Sequence, residues 1–283
     1  MEVPKSEARR YDHLPGAPSP AYAQAYGLPR AREMRRALSL LAFSLLVPTA
    51  ACSGAAEDFS TEDDEQLLRL CAAGPTVEGI DVSYHQSTID WDKVVAAAPL
   101  KFAFIRVSDS TRVTDPQFAR NWKEAKRVGL VRGVYQFWRP SVDTDAQVDL
   151  ALAQIEAAGG LEPDDLGVVL DAEVAEGLPA KTILPRMQKW LDRMEQATGK
   201  KPILYTSWGF WVGLGSPTTF GAYPLWVANY KVSCPRMPDG SWSAWSFWQY
   251  SDRGRLNGIR ASVDRNVFNG TLPQLQALAR RGP

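Results

Sequence analysis

From Thr76 onward, short apolar runs alternate with longer stretches in which apolar residues recur every three or four positions. The short runs at 79–82, 102–107, 131–138, 167–170 and 202–206 are rich in β-branched and large apolar residues, which suit covered strands. The stretches between them predict helices. One covers 91–98, with Asp90 as N-cap, and one covers 116–128, with Phe118, Trp122 and Ala125 on one face and Gly129 past its end. Two more cover 143–158, ended by Gly159-Gly160, and 182–198, closed by Gly199. After residue 206 the helical period fades. Strands are predicted at 225–228, 246–250 and 262–264, joined by loops, and a last helix at 273–280 with Pro273 in its first turn.

Strand–helix alternation implies βαβ units on a parallel sheet. Five such units followed by three strands with little helix predict a single-domain α/β fold, an irregular TIM-like (β/α)5(β)3 barrel over 76–283. Function in such barrels sits at the C-terminal ends of the strands. There the fourth strand ends in Asp171 and Glu173, spaced i, i+2 and so on one face of an extended chain. Close carboxylates push their pKa values apart, which suits one for acid work and the other for a charged role. Two solvated acids at a loop entrance would look the same locally.

The other expected strand ends bring Asp81, Ser108 and Asp109, Tyr135 to Trp138, Tyr205 and Trp208, Asn229 and Tyr230, Gln249 and Tyr250, and Asp264 to the same rim. Singly each reads as a hydrogen-bonded structural residue. Together they read as a saccharide cleft with catalytic carboxylates. Of the aromatics, Trp138, Trp208, Tyr230 and Tyr250 are candidates to stack on sugar faces, with core packing the competing reading for each. Tyr205 and Gln249 are further candidates to bind the sugar.

Composition narrows the partners. Lysines plus arginines number 32, as do aspartates plus glutamates, so no charge excess points to nucleic acid. Two histidines and three cysteines, scattered, do not make a zinc site of the usual spacing. Ten tryptophans are many, and most are expected in the core.

The region before the barrel has its own logic. Residues 1–33 are rich in Pro, Ala, Arg and Tyr with no apolar period, as in a disordered leader or a start codon placed too far upstream. Residues 34–51 then read as a signal peptide: Arg35-Arg36, an apolar stretch over 37–47 too short to span a bilayer, and Thr49-Ala50-Ala51-Cys52. The pattern resembles a bacterial lipoprotein signal, with Cys52 as the lipidated residue. Ordinary cleavage near Ala51 is the alternative. Either outcome exports the protein, as a membrane-anchored lipoprotein of the cell surface or periplasm or as a secreted chain. Residues 52–75 read as an acidic tether with one short helix around 65–73. Cys71 and Cys234 could pair in an oxidising compartment, and the sequence leaves this open.

Eight segments in order carry a more specific signal. They are Gly79-Ile80-Asp81-Val82-Ser83-Tyr84-His85-Gln86, Phe102-Ala103-Phe104-Ile105-Arg106, Gly133-Val134-Tyr135-Gln136-Phe137, Leu170-Asp171-Ala172-Glu173, Pro202-Ile203-Leu204-Tyr205-Thr206-Ser207, Leu225-Trp226-Val227-Ala228-Asn229-Tyr230, Trp248-Gln249-Tyr250-Ser251 and Val263-Asp264-Arg265-Asn266. In these the chain resembles glycoside hydrolase family 25, the Chalaropsis-type lysozymes or N-acetylmuramidases. The resemblance implies the irregular barrel and hydrolysis of the β-1,4 bond between N-acetylmuramic acid and N-acetylglucosamine. It implies Glu173 as general acid, Asp171 as a second catalytic carboxylate, Asp81 and Asp264 as further acids of the pocket, and Tyr135 beside the sugar at the cleavage point. Gln136 stands where the family more often has His, which puts substrate range or pH response in question. Whether the reaction retains the anomer with help from the substrate's N-acetyl group, or inverts it through a water, stays open. The expected partner is a peptidoglycan glycan strand, with no metal or organic cofactor, no nucleic acid, a monomeric state, and membrane contact only through Cys52. A non-catalytic glycan-binding lipoprotein on the same barrel is the competing reading.

Overall fold

The computed structural model describes residues 69–281. The expected leader 1–33, the signal 34–51 and Cys52 lie outside the described residues. In chain order the elements are β1 (Val77–Val82), α1 (Trp91–Ala97), β2 (Phe102–Asp109), β3 (Val113–Thr114), α2 (Phe118–Arg127), β4 (Val131–Phe137), α3 (Thr144–Ala157), β5 (Val169–Asp171) and α4 (Ala180–Thr198). They continue with β6 (Ile203–Ser207), α5 (Trp208–Gly213), β7 (Leu225–Ala228), β8 (Phe247–Gly254), β9 (Val263–Phe268) and α6 (Leu272–Ala279). The short helix α5 answers no apolar period. Ser207 starts it by accepting the Phe210 amide N–H.

Eight strands close a barrel, with β3 hanging from the end of β2 as a hairpin. Neighbours run parallel from β1 through β2, β4, β5, β6 and β7 to β8, while β9 runs antiparallel to both β8 and β1. This corrects the expectation that Asp264 ends its strand. Asp264 lies near the start of β9, and the reversed direction brings that start to the rim where the other strands end.

Phe102, Phe104, Ile203, Trp226, Phe247 and Phe268 fill the barrel interior. Two of these rings need glycine opposite. Gly79 and Gly133 are register partners of Phe102 and Phe104, and a Cβ on them would lie 2.5 and 2.4 Å from those rings. Trp226 stacks on Phe104 with centroids 4.3 Å apart and meets Tyr205 edge-on at 4.7 Å. Tyr205 packs on this filled interior and carries its hydroxyl to Gln249. The outer strand faces carry Ile80, Val82, Ala103, Ile105 and Val107 into a second core under the helices, with Trp91, Trp122 and Trp190.

Helices do not cover β7, β8 and β9. The chain start and the segment between β7 and β8 cover them instead. Leu70 and Ala72 pack with Trp245, Met237 and Trp248, and Cys71 is disulfide-bonded to Cys234. Leu70 N donates to Pro235 O at 3.0 Å, Trp245 Nε1 donates to Leu70 O at 2.7 Å, and Arg69 bridges Arg236. Over 69–73 there is therefore no helix. The covalent staple and the bridge to residue 236 instead tie this stretch to the segment between β7 and β8.

Candidate active site

Asp81, next to last in β1, points inward and is almost fully buried. Its Oδ2 accepts from Gln249 Nε2 and Asn266 Nδ2, both at 2.8 Å. Asp264, its register partner, shares a hydrogen bond with it. Burial is the main cause raising both carboxyls. The amide donors oppose that rise at Asp81, while the charge of Asp81 adds to it at Asp264, which is pushed up to about 9. Asp264 is thus the proton donor of the pair at neutral pH, and Asp81 the acceptor of three hydrogen bonds. Gln249 is fixed from its other end. Its Oε1 accepts from Tyr205 Oη at 2.8 Å and Tyr230 Oη at 2.5 Å. Two phenols, one amide and one carboxylate form a single chain across β6, β7 and β8 to β1.

Asp171 is the last residue of β5 and is buried. Its Oδ1 has no hydrogen-bond partner among the described residues, and its pKa is raised well above the carboxylate range, by burial first and then by Glu173 and Asp81. Glu173 follows just past the strand. Solvent reaches its side chain, yet the protein packed around it strips enough water to favour the neutral form. Burial first, and Asp81 next, push it up to about 7, with Arg139 opposing. The lip of a pocket gives this combination: access for a ligand, and a carboxyl that still holds its proton near neutrality.

Two residues join the site that sequence reasoning left out. Asn266 follows Asp264 by two and is therefore on the same face of β9. Arg106 is inward on β2 beside Tyr135 on β4. Its guanidinium is nearly buried, donates to Asp115 from Nε at 3.2 Å, and draws the pKa values of Asp81, Asp171 and Tyr135 down against the rise that burial causes. Strand alternation from Phe104 was the signal that could have found it. Tyr135 itself lines the barrel beside Arg106, as a phenol whose pKa burial raises.

Three other residues stand away from the acids. Trp138 has 0% exposure and lies in the core beneath the helices, so it offers no face to a sugar. Past the end of β4 its ring packs under the helices, outside the barrel. Tyr250 corrects likewise: one residue on from inward Gln249, it points to the outer surface, where its hydroxyl donates to Glu78 Oε2 at 2.9 Å. Gln136 is wholly buried on the outer side of β4. It donates to Ser108 Oγ and Gln147 O and accepts from Trp190 Nε1 at 2.8 Å. It ties helices to barrel and does not line the pocket, so it bears on packing rather than on substrate range. Trp208 is half-buried, with the Arg236 guanidinium 3.5 Å over one face. Among the described residues no group of three or more His, Cys, Asp or Glu is arranged to hold a metal ion.

Residues 80–259 match the model of a known family, glycosyl hydrolases family 25. The protein YegX of Escherichia coli (strain K12) is 42% identical over 209 residues, which cover 72% of this chain and 74% of YegX. Lysozyme M1 of Streptomyces globisporus is 35% identical over 223 residues, covering 72% of this chain and 71% of that one. The crystal structure of the bacterial lysozyme from Streptomyces coelicolor superposes with a TM-score of 0.66 at 35% identity, over 72% of this chain and 97% of that one.

Proposed function

The chain belongs to glycosyl hydrolases family 25, and on that premise we propose how its rim works. It is a glycosidase of the lysozyme type, hydrolysing the β-1,4 bond between N-acetylmuramic acid and N-acetylglucosamine in peptidoglycan. Glu173 is the general acid. It gives its proton to the glycosidic oxygen as the bond to the anomeric carbon of N-acetylmuramic acid breaks. The observation that carries this assignment is a solvent-reached carboxyl held at about 7 among three other acids. Asp81, whose three donors oppose the rise that burial causes, lies where positive charge develops on the sugar. Asp171 Oδ1 is an acceptor waiting for a partner. It receives the substrate's N-acetyl N–H if the reaction retains configuration, or the attacking water if it inverts, and the anomer of the first product, read by NMR, separates the two. Tyr135, Tyr205 and Tyr230 wall the sugar site.

We further place the enzyme outside the cytoplasm, anchored through a lipid on Cys52. The Cys71–Cys234 bond supports an oxidising compartment, and the residues ahead of Cys52 support the anchor. Labelling with radioactive palmitate, lost in Cys52→Ser, tests the anchor.

The test of function is mass spectrometry of material released from purified peptidoglycan by residues 53–283. Disaccharide peptides ending in reducing N-acetylmuramic acid, absent with Glu173→Gln, are expected. No release by either protein, with binding to the sacculus retained, would leave a glycan-binding protein instead.

A further inference from the structure

Beside Glu173 stands a charged cluster that the chemistry above does not use. Arg139, in the loop after β4, forms a fork on Asp109 at the end of β2, with Nε to Oδ1 at 2.5 Å and Nη2 to Oδ2 at 2.7 Å. Its remaining nitrogen, Nη1, donates to Glu176 Oε1 at 3.0 Å. The guanidinium plane also lies over the Phe137 ring, 4.9 Å from its centroid. One side chain thus joins the ends of three neighbouring strands, and its planar fork makes that possible.

Glu176 is the far end of this tie, in the same loop as Glu173. Its backbone is left-handed, with φ 47°, and Gly177 follows with φ 76°. A non-glycine residue holds that conformation only where its surroundings insist on it. Here they do: the Glu176 carboxylate receives Arg139, the Ser141 amide at 3.2 Å and hydroxyl, and Arg112 at 3.3 Å.

We propose that Arg139 is a positioning residue for Glu173, clamping the loop after β5 to the ends of β2 and β4 so that the acid is held over the glycosidic oxygen. The inference rests on the reading of Glu173 as general acid. The groups around Glu173 are Asp171 on β5, Asp81 on β1, Asp109 on β2, Tyr205 on β6, Tyr230 after β7 and Asp264 on β9, together with Arg139. Of these Arg139 alone is a cation, and its charge draws the Glu173 pKa down against the acids.

The test uses the full chain and its Arg139→Gln, Arg139→Lys and Glu176→Gln variants, with initial rates of muropeptide release measured across pH and folding followed by thermal melting. Loss of the clamp lowers the rate by about 10²-fold, the scale of a misplaced catalytic group. In Arg139→Gln the alkaline limb of the rate profile moves to higher pH. Arg139→Lys keeps that limb in place because it keeps the charge, yet is slow because an ammonium cannot fork. Glu176→Gln is slow with the Arg139–Asp109 contact intact. Wild-type rates in Arg139→Gln, or slow variants whose loss follows unfolding alone with the limb unmoved, overturn the proposal. A wild-type chain that releases nothing overturns the hydrolase reading, and this inference with it.

Discussion

Asp81 and Asp264 are register partners on antiparallel strands, and Asp264 carries the proton of the hydrogen bond between them. The reversed last strand makes this pairing possible. The two residues therefore have unequal tolerance to change. Asp264→Asn keeps a donor aimed at Asp81 and is expected to retain activity within about tenfold. Asp81→Asn sets an amide against the donors of Gln249 and Asn266 and removes the carboxyl on which they converge. A loss of about 10²- to 10³-fold is expected, the scale of removing one preorganised electrostatic group. Steady-state release from peptidoglycan, with circular dichroism as a folding check, measures both.

The Asp264 pKa also has a stability signature. Its folded value is raised from 3.8 to about 9, so the folded state holds a proton that the unfolded state gives up first. Its contribution is whole below about pH 4 and is lost as pH climbs through about 9. Asp264→Asn has no such proton to lose. The melting temperature of this variant relative to wild type should therefore rise steadily between pH 4 and pH 9. A difference that stays flat over this range would rule out the protonated carboxyl.

Activity should show the opposite dependence to a base-limited enzyme. Glu173 works only when protonated, and its pKa is about 7. The rate should fall above neutrality, by about tenfold per pH unit once deprotonation dominates. A rate that holds level to pH 9 would exclude Glu173 as the acid.

Gln249 is the joint of the polar chain. Gln249→Leu leaves Tyr205, Tyr230 and Asp81 without their shared partner. Asn266 and Asp264 still donate to Asp81, so about 1–3 kcal/mol of stability should be lost in all, measurable by urea unfolding. Trp138→Phe should also cost stability, through the core, but leave KM unchanged because the ring touches no sugar.

The disulfide closes a loop between residues separated by 163 positions. A Cys71→Ala, Cys234→Ala double variant should lose roughly 2–4 kcal/mol in the same assay while keeping the barrel.

The order of strands and helices was legible because each strand is a compact apolar run and each of the longer helices has a capped, periodic face. Asp90 before α1 and Gly199 after α4 sit where those signals placed them. What alternation decides could have been read more finely. Gln249 inward makes Tyr250 outward, and Phe104 inward makes Arg106 a pocket residue. Other features follow no local period. Trp138 lies past a strand end, where alternation stops. The stretch from Arg69 depends on a bond to Cys234, far along the chain. Arg139 reaches Asp109 and Glu176 across loops whose paths only the folded rim defines.

The staple at Cys71 has a mechanical side. A pull on the chain ahead of Arg69 is taken first by the bridge to Arg236, then by the covalent link to Cys234. From there the load enters the segment after β7, and the link shunts it past β1. Without that detour, tension would peel β1 from β2 and β9 one hydrogen bond at a time, starting at Val77 and ending at Asp81. Tension on the chain ahead of Arg69 thus leaves β1, the strand that carries Asp81, outside the line of force.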